Sequence, residues 1–260
     1  MTRTTHYQLP APGSVIPGTV ADMLKRNHLL IAGTSGAGKS TLMRSLIHHL
    51  LAYSPSQKAM VLLDPKKVDL YQYRNLPHTY SHADTIEGCV ASLREMRSVI
   101  LKRYEMMQAQ GLTLWPGGDV YIIVDELADL MTTARKDVLP LLQSIGQIGR
   151  AAKVHLWCAT QCPIVKVIPT ELKVNFDGIV GLRTRSAQDS RNILGENGCE
   201  CLPMYGQMIY HTPSLMDNYH TVTPYCDDTT ICNRIAFWNA QNNRKGLFSR
   251  RYRVSMYGVL

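Results

Sequence analysis

Apolar positions along this chain fall into two alternating kinds of block. Short, nearly unbroken runs occupy 28–32, 58–64, 119–125, 154–160 and 178–182, with a later one near 205–211. Each is short enough and apolar enough to be a strand buried on both faces. Between the runs the apolar spacing changes to three and four. Leu42, Leu46, Ile47, Leu50 and Leu51 share one helical face. From about 83 to 110, Ile86, Val90, Leu93, Met96, Ile100 and Leu101 repeat that spacing, and Gly111, Pro116, Gly117 and Gly118 end it. A further helix is expected over roughly 136–152, and a short one over 189–194 with Asp189 as an acidic cap. Strands alternating with helices predict an α/β fold, a mainly parallel sheet with helices on both faces.

The flanks differ from this pattern. Residues 1–18 are polar and carry Pro10, Pro12 and Pro17, so they read as an arm. From about 241 the chain is polar and basic, with Arg244, Lys245, Arg250, Arg251 and Arg253. The expected organisation is an arm at 1–18, one α/β domain at 19–240 and a basic tail at 241–260. No internal repeat interrupts it. No apolar run approaches the ~18 residues of a membrane span, and the first residues lack the apolar stretch of a signal peptide. A cytoplasmic protein is expected. The seven cysteines include no C-x-x-C pair. A zinc site from Cys199, Cys201 and His211 is conceivable, but free thiols fit a reducing compartment better.

Chemistry concentrates where the first strand ends. Gly33-Thr34-Ser35-Gly36-Ala37-Gly38-Lys39-Ser40 fits G-x-x-x-x-G-K-[ST], with Thr41 following at a helix start. A glycine-rich turn before an ordinary helix has the same composition. A chance match to the full pattern, however, is on the order of one in a hundred for a chain of this size. Glycines let backbone N–H groups close on a polyphosphate, and the helix start adds partial positive charge. Lys39 is then placed for the β- and γ-phosphates and the Ser40 hydroxyl for Mg²⁺. ATP and Mg²⁺ are the expected ligands.

A second strand completes the constellation. Tyr121-Ile-Ile-Val-Asp125-Glu126 is an apolar run ending in two carboxylates. Asp125 would help hold the metal, and Glu126 would orient or deprotonate the attacking water. Gln161, after the run at 154–160, is either a γ-phosphate sensor or a polar strand cap. Arg150 precedes that strand. Taken by itself it reads as a cation at a helix end; the functional reading is an arginine finger. The formal charge of +8 favours an anionic partner such as nucleic acid.

Taken together, these motifs resemble the motor domain of the FtsK/SpoIIIE DNA translocases, in the HerA–FtsK branch of RecA-like P-loop ATPases. The resemblance runs from about Val20 to Pro213. It is carried by the segment 20–40, by Leu63-Asp-Pro-Lys66 with Leu76-Pro-His78, and by Val124-Asp-Glu-Leu-Ala-Asp-Leu-Met131. Gly149-Arg-Ala-Ala-Lys-Val-His-Leu156, Ala159-Thr-Gln161, Asp189-Ser-Arg-Asn-Ile-Leu194 and Met204-Tyr-Gly-Gln-Met208 extend it. It implies a RecA-like fold, ATP hydrolysis, and a homo-hexameric ring around double-stranded DNA. It also implies that Arg150 acts in trans and that Gln161 senses the γ-phosphate. A conjugative coupling ATPase on single strands and a secretion-type ATPase are the alternatives within the branch.

The chain departs from the family pattern in two places. Cys162 stands where the family has Arg, and Ala187 where it has a basic residue that Arg183 or Arg185 would replace. Lys66, Lys67, Arg183 and Arg185 are the candidate DNA contacts. A minimal motor without membrane or winged-helix domain is expected.

Overall fold

The apolar runs become the centre of a single sheet. The computed structural model describes residues 16–213, 215 and 218–245. In chain order the strands are β1 His28–Ala32, β2 Lys58–Leu63, β3 Thr79–Ala83, β4 Asp119–Val124, β5 Val154–Thr160, β6 Gly178–Leu182, β7 Gln207–His211 and β8 Tyr219–Val222. The helices are α1 Val20–Met23, α2 Lys39–Leu50, α3 Ile86–Ala109, α4 Leu127–Thr133, α5 Arg135–Ile148, α6 Thr170–Lys173, α7 Ala187–Leu194 and α8 Asp228–Lys245. The strand order is β3-β2-β4-β5-β1-β6-β7-β8. The first six strands pair in parallel, and β7 and β8 are added antiparallel.

Alternation along β1 explains the two layers. Leu30 and Ala32 face a core shared with α3, α4 and α5. Leu29 and Ile31 face the other side, against α1, α2 and α8. Both faces are dry, so the central strands are apolar at most positions, with His28, His155 and Thr160 as buried polar exceptions at or near strand ends. The helices follow the same logic. Thr85 caps α3 by accepting from the Gly88 N–H, and Leu93, Met96, Val99 and Ile100 are fully buried. Leu101, placed on that face by the spacing, is instead 41% exposed, and Val99 takes the position. Arg103 is also buried there, donating to the Ala152 carbonyl at 2.6 Å beside the Trp115 ring.

Several boundaries differ from the sequence pattern. The helix expected over 136–152 ends at Ile148. Gly149 keeps helical backbone and is packed so closely that a Cβ would lie 2.4 Å from the Val154 carbonyl oxygen, and the chain turns into β5 through left-handed Lys153, φ +52°. The α7 cap is Ser186, which accepts from the Asp189 N–H; Asp189 sits in the first turn. Strands β3 and β8 and helices α1, α4, α6 and α8 stand outside the elements that the apolar spacing predicts. Helix α8 runs across residue 240, where the change to a basic tail was placed. The arm up to residue 15 and the tail from 246 lie outside the described residues.

Every parallel strand leaves its carboxyl end at one edge of the sheet. Gly33, Asp64, Asp125, Gln161 and Arg183 therefore share that edge. Asn27, Gly118, Lys153 and Asp177 precede strands and mark the opposite, amino edge.

Candidate nucleotide site

Strand β1 lies between β5 and β6, and the loop that follows it is pinned to both. The Gly33 N–H donates to the Thr160 carbonyl at 3.2 Å, and the Thr34 N–H to the Arg183 carbonyl at 2.8 Å. The chain then turns through Gly36 and Gly38, at φ +74° and +109°. At Gly38 a Cβ would come within 3.1 Å of the Gly206 Cα, so the space as well as the backbone requires glycine. Helix α2 begins at Lys39 with its first N–H groups turned to this loop.

Lys39 is 8% exposed, and its Nζ donates to the carbonyls of Gly33 and Thr34 at 2.7 and 2.8 Å. Burial lowers its pKa to about 8, against the opposing pull of Glu126, Asp125 and Asp69. The ammonium thus sits inside the loop, on the carbonyls that border the phosphate position.

Ser40 Oγ donates to Asp69 Oδ2 at 2.6 Å. Asp69 was not singled out in the sequence. It lies on the connection after β2, five positions beyond Asp64, and a tertiary approach brings it to the P-loop hydroxyl. Its only sequence signal is its place after a parallel strand, where ligands gather in this kind of sheet.

The β4 carboxylates have distinct surroundings. Asp125 is pushed up to about 7, first by burial and then by the charges of Asp69, Asp64 and Glu126, with Lys66 opposing. Asp64 is fully buried; one oxygen accepts from the Leu70 N–H, and Oδ1 has no hydrogen-bond partner. Glu126, by contrast, is fully engaged. Its Oε1 accepts from Thr160 Oγ1 at 2.7 Å and from the Ala128 N–H at 3.2 Å, capping α4. The Gln161 N–H reaches both its oxygens, and Lys66 Nζ lies 3.7 Å from Oε2.

These donors fit Mg²⁺. The Ser40 hydroxyl and the Asp125 carboxylate are hard oxygen ligands, with Asp69 accepting from Ser40 behind them, and a cation there would offset the repulsion that raises Asp125. Among the described residues no group of three or more His, Cys, Asp or Glu is arranged to hold a metal alone. The Cys199, Cys201 and His211 grouping is likewise not assembled: Cys199 is buried, Cys201 is exposed, and His211 Nδ1 pairs with Asn218.

Gln161 lies at the end of β5 beside Glu126, with its side chain exposed. Arg150 lies elsewhere, exposed on the turn before β5 at the amino edge. The seven residues of β5 separate it from the loop edge by about 20 Å at roughly 3.3 Å per residue.

The candidate DNA contacts are all occupied near the site. Lys66 pairs with Asp129 at 3.3 Å as well as with Glu126, and Lys67 pairs with Asp84 at 3.0 Å. Arg183 donates to the Leu202 carbonyl, and Arg185 Nε to Thr34 Oγ1 at 3.3 Å.

A glycine loop closing on a helix start, at the carboxyl edge of a parallel sheet and facing two carboxylates, places the chain among the P-loop nucleotide-binding α/β proteins. Within that class it belongs to the FtsK/SpoIIIE family, whose sequence profile matches residues 12–115 and 116–165. The DNA translocase FtsK of Borreliella burgdorferi is 34% identical over an alignment covering 78% of this chain and 28% of that protein. The DNA translocase FtsK of Rhizobium meliloti is 33% identical, covering 89% and 31%. The chain thus spans about three tenths of the length of these relatives.

The fold is shared with the pCW3 conjugation coupling protein TcpA, solved with ATPγS. Its TM-score is 0.71 at 22% identity, covering 84% of this chain and 66% of that one. It is also shared with the type VII secretion ATPase EccC of Thermomonospora curvata, at TM-score 0.66 and 24% identity, covering 82% and 28%. No helix among the described residues is long and apolar enough to cross a membrane.

Proposed function

We propose that the chain is an ATP-hydrolysing motor that moves double-stranded DNA through a homo-hexameric ring in the cytoplasm. The observation that carries the reading is the placement of Asp125 and Glu126 beside Ser40 and Lys39 at one sheet edge, with Glu126 fixed by Thr160 and Gln161. The relatives over 30% identical that bear the name DNA translocase FtsK support DNA as the partner, as does the formal charge of +8.

On this reading Gly33, Thr34, Ser35, Gly36, Ala37, Gly38 and Thr41 line the phosphates through their backbone. Lys39 leaves the Gly33 and Thr34 carbonyls for the β- and γ-phosphate oxygens. Ser40 and Asp125 hold Mg²⁺, with Asp69 behind the serine. The metal, when bound, supplies charge neutralisation along the transferring phosphate. Glu126 takes the proton of the attacking water through Oε2, its less encumbered oxygen, while Thr160 fixes the other oxygen. Gln161 contacts the γ-phosphate or its water. Arg150 is about a strand length from its own subunit's loop, so it serves the nucleotide of a neighbour.

An ATPase titration with double- and single-stranded DNA, run beside a mass measurement of the assembly, tests this. Stimulation by duplex in a six-subunit species is expected. Stimulation by single strands alone would favour a coupling ATPase, and indifference to both would remove DNA from the reading.

A further inference from the structure

The loop before β7 folds back onto the phosphate loop. The Gly206 N–H donates to the Ala37 carbonyl at 3.1 Å, and the Gly206 carbonyl accepts from the Thr223 N–H at 2.6 Å. Met204 Cε lies 3.2 Å from where a Gly36 Cβ would stand. Tyr205 sits between these two anchored residues. Its backbone is left-handed, at φ +67°, a conformation that bulky side chains rarely adopt. Its side chain is 89% exposed and makes no hydrogen bond, ion pair or ring contact among the described residues. Among the described residues the strain therefore serves no contact. It holds an aromatic ring out in solvent, one residue from the loop that would hold phosphates.

Sheet order gives the direction of a bound nucleotide. The phosphate loop follows β1, while Asp125, Glu126 and Gln161 lie on the side of β4 and β5. The reacting γ-phosphate must point to those acids, so the rest of the nucleotide extends the other way, toward β6 and β7. The β6–β7 connection on that side carries Tyr205.

We infer that Tyr205 is the stacking platform for the nucleotide base. The inference rests on the nucleotide reading above and adds what distinguishes a nucleotide from a bare polyphosphate. An aromatic face stacks on any base, more strongly on a purine, and selects by ring area, not by hydrogen-bond pattern. The site therefore takes purine nucleoside triphosphates and discriminates weakly between adenine and guanine.

The test compares Mg-ATPγS with inorganic tripolyphosphate as ligands of the full chain, wild type against Tyr205→Ala and Tyr205→Trp. Tyr205→Ala is expected to lose about tenfold in ATPγS affinity, within the range of one base–aromatic stack, and none for tripolyphosphate. Tyr205→Trp is expected to keep ATPγS affinity, with tryptophan emission changed by ATPγS and not by tripolyphosphate. Unchanged ATPγS affinity in Tyr205→Ala, or equal losses for both ligands, would overturn the assignment. If wild type bound neither ligand, the nucleotide reading itself would fall, and this one with it.

Discussion

Asp119 opens strand β4 and Asp125 follows its last residue, so one strand carries an aspartate at each end. The two are held in opposite states. Asp119 lies between Lys58 Nζ at 2.7 Å and His155 Nε2 at 3.2 Å; burial would raise it, but the hydrogen bonds to His155 and Lys58 together outweigh that and bring it down to about 2. Asp125 is buried beside three other carboxylates and is pushed up to about 7. The same contrast holds for the two edges of the sheet. At the amino edge Asp177 accepts from the Asn27 and His28 N–H groups and from Asn27 Nδ2, locking the entry to β1. At the carboxyl edge Asp64, Asp69, Asp125 and Glu126 crowd together, and their mutual repulsion with burial raises Asp125. Unpartnered buried atoms (Asp64 Oδ1, His28 Nε2) and left-handed residues (Lys67, Tyr205, Lys153) occur at both edges. What separates the edges is charge: at the amino edge the carboxylates are paired, while at the carboxyl edge they repel one another in a way that a cation would relieve. Arg150 lies exposed at the settled edge, where the proposed role at a neighbour's nucleotide would use it.

The largest expected effects are on turnover. Arg150→Ala should lower kcat by about 10³-fold or more, as removal of an arginine finger does, while ATPγS binding stays intact. Unaltered kcat would return Arg150 to a surface cation. Glu126→Gln should cost about 10²–10⁴-fold and trap bound ATP, read by filter binding and phosphate release. Continued turnover would take the proton-accepting role away from Glu126.

Those two residues were named from sequence, and the contrast with what was missed is physical. The P-loop, the β4 acids and Gln161 sit at the ends of strands buried on both faces, so apolar runs locate them. Strand β3, Thr79-Tyr-Ser-His-Ala83, lies at a sheet edge and is only half buried; it needed no apolar run and left none to read. In α8, Ile231, Ile235 and Trp238 face the core, and the Trp238 indole Nε1–H donates to the Leu51 carbonyl. These three stand at i, i+4 and i+7, a helical spacing that the sequence does carry, beside an exposed Phe237 that blurs the apolar face. Asp69 and Tyr205 come from connections whose approach to the P-loop is set by tertiary packing, which no local pattern encodes.

Stability should respond oppositely at the two ends of β4. Without nucleotide, Asp125→Asn removes a charge held in an unfavourable place and should stabilise at neutral pH by roughly 2 kcal/mol. Asp119→Asn loses an ion pair that is partly open to water and should destabilise by about 1 kcal/mol. Urea melts of the two variants measure both. With Mg-ATPγS present, Asp125→Asn should lose the advantage, because its carboxylate is then a ligand. Matching signs without nucleotide would erase the contrast between the edges.

A smaller effect appears in the pH profile. Burial lowers His28 and His78, both on the amino half of the sheet, to about 4. Each contributes stability that is complete above about 6.5 and lost as pH falls toward 4, of order 2 kcal/mol each. Asp125 acts the other way: the folded chain holds its proton between about 4 and 7, so its contribution falls as pH rises through that window. The wild-type profile should therefore rise gently from pH 4 to 6.5, and Asp125→Asn should rise more steeply. Parallel profiles would remove Asp125 from the balance.

The claim that the settled edge of one subunit completes the charged edge of the next is tested most directly by mixing. Lys39→Ala subunits have a defective phosphate loop and an intact Arg150; Arg150→Ala subunits have the reverse. Each alone should be inactive. Co-assembled, they should recover ATP hydrolysis, because some Arg150→Ala sites receive a finger from a Lys39→Ala neighbour. Mixed assemblies that form, as judged by mass, and still hydrolyse no ATP would contradict the account.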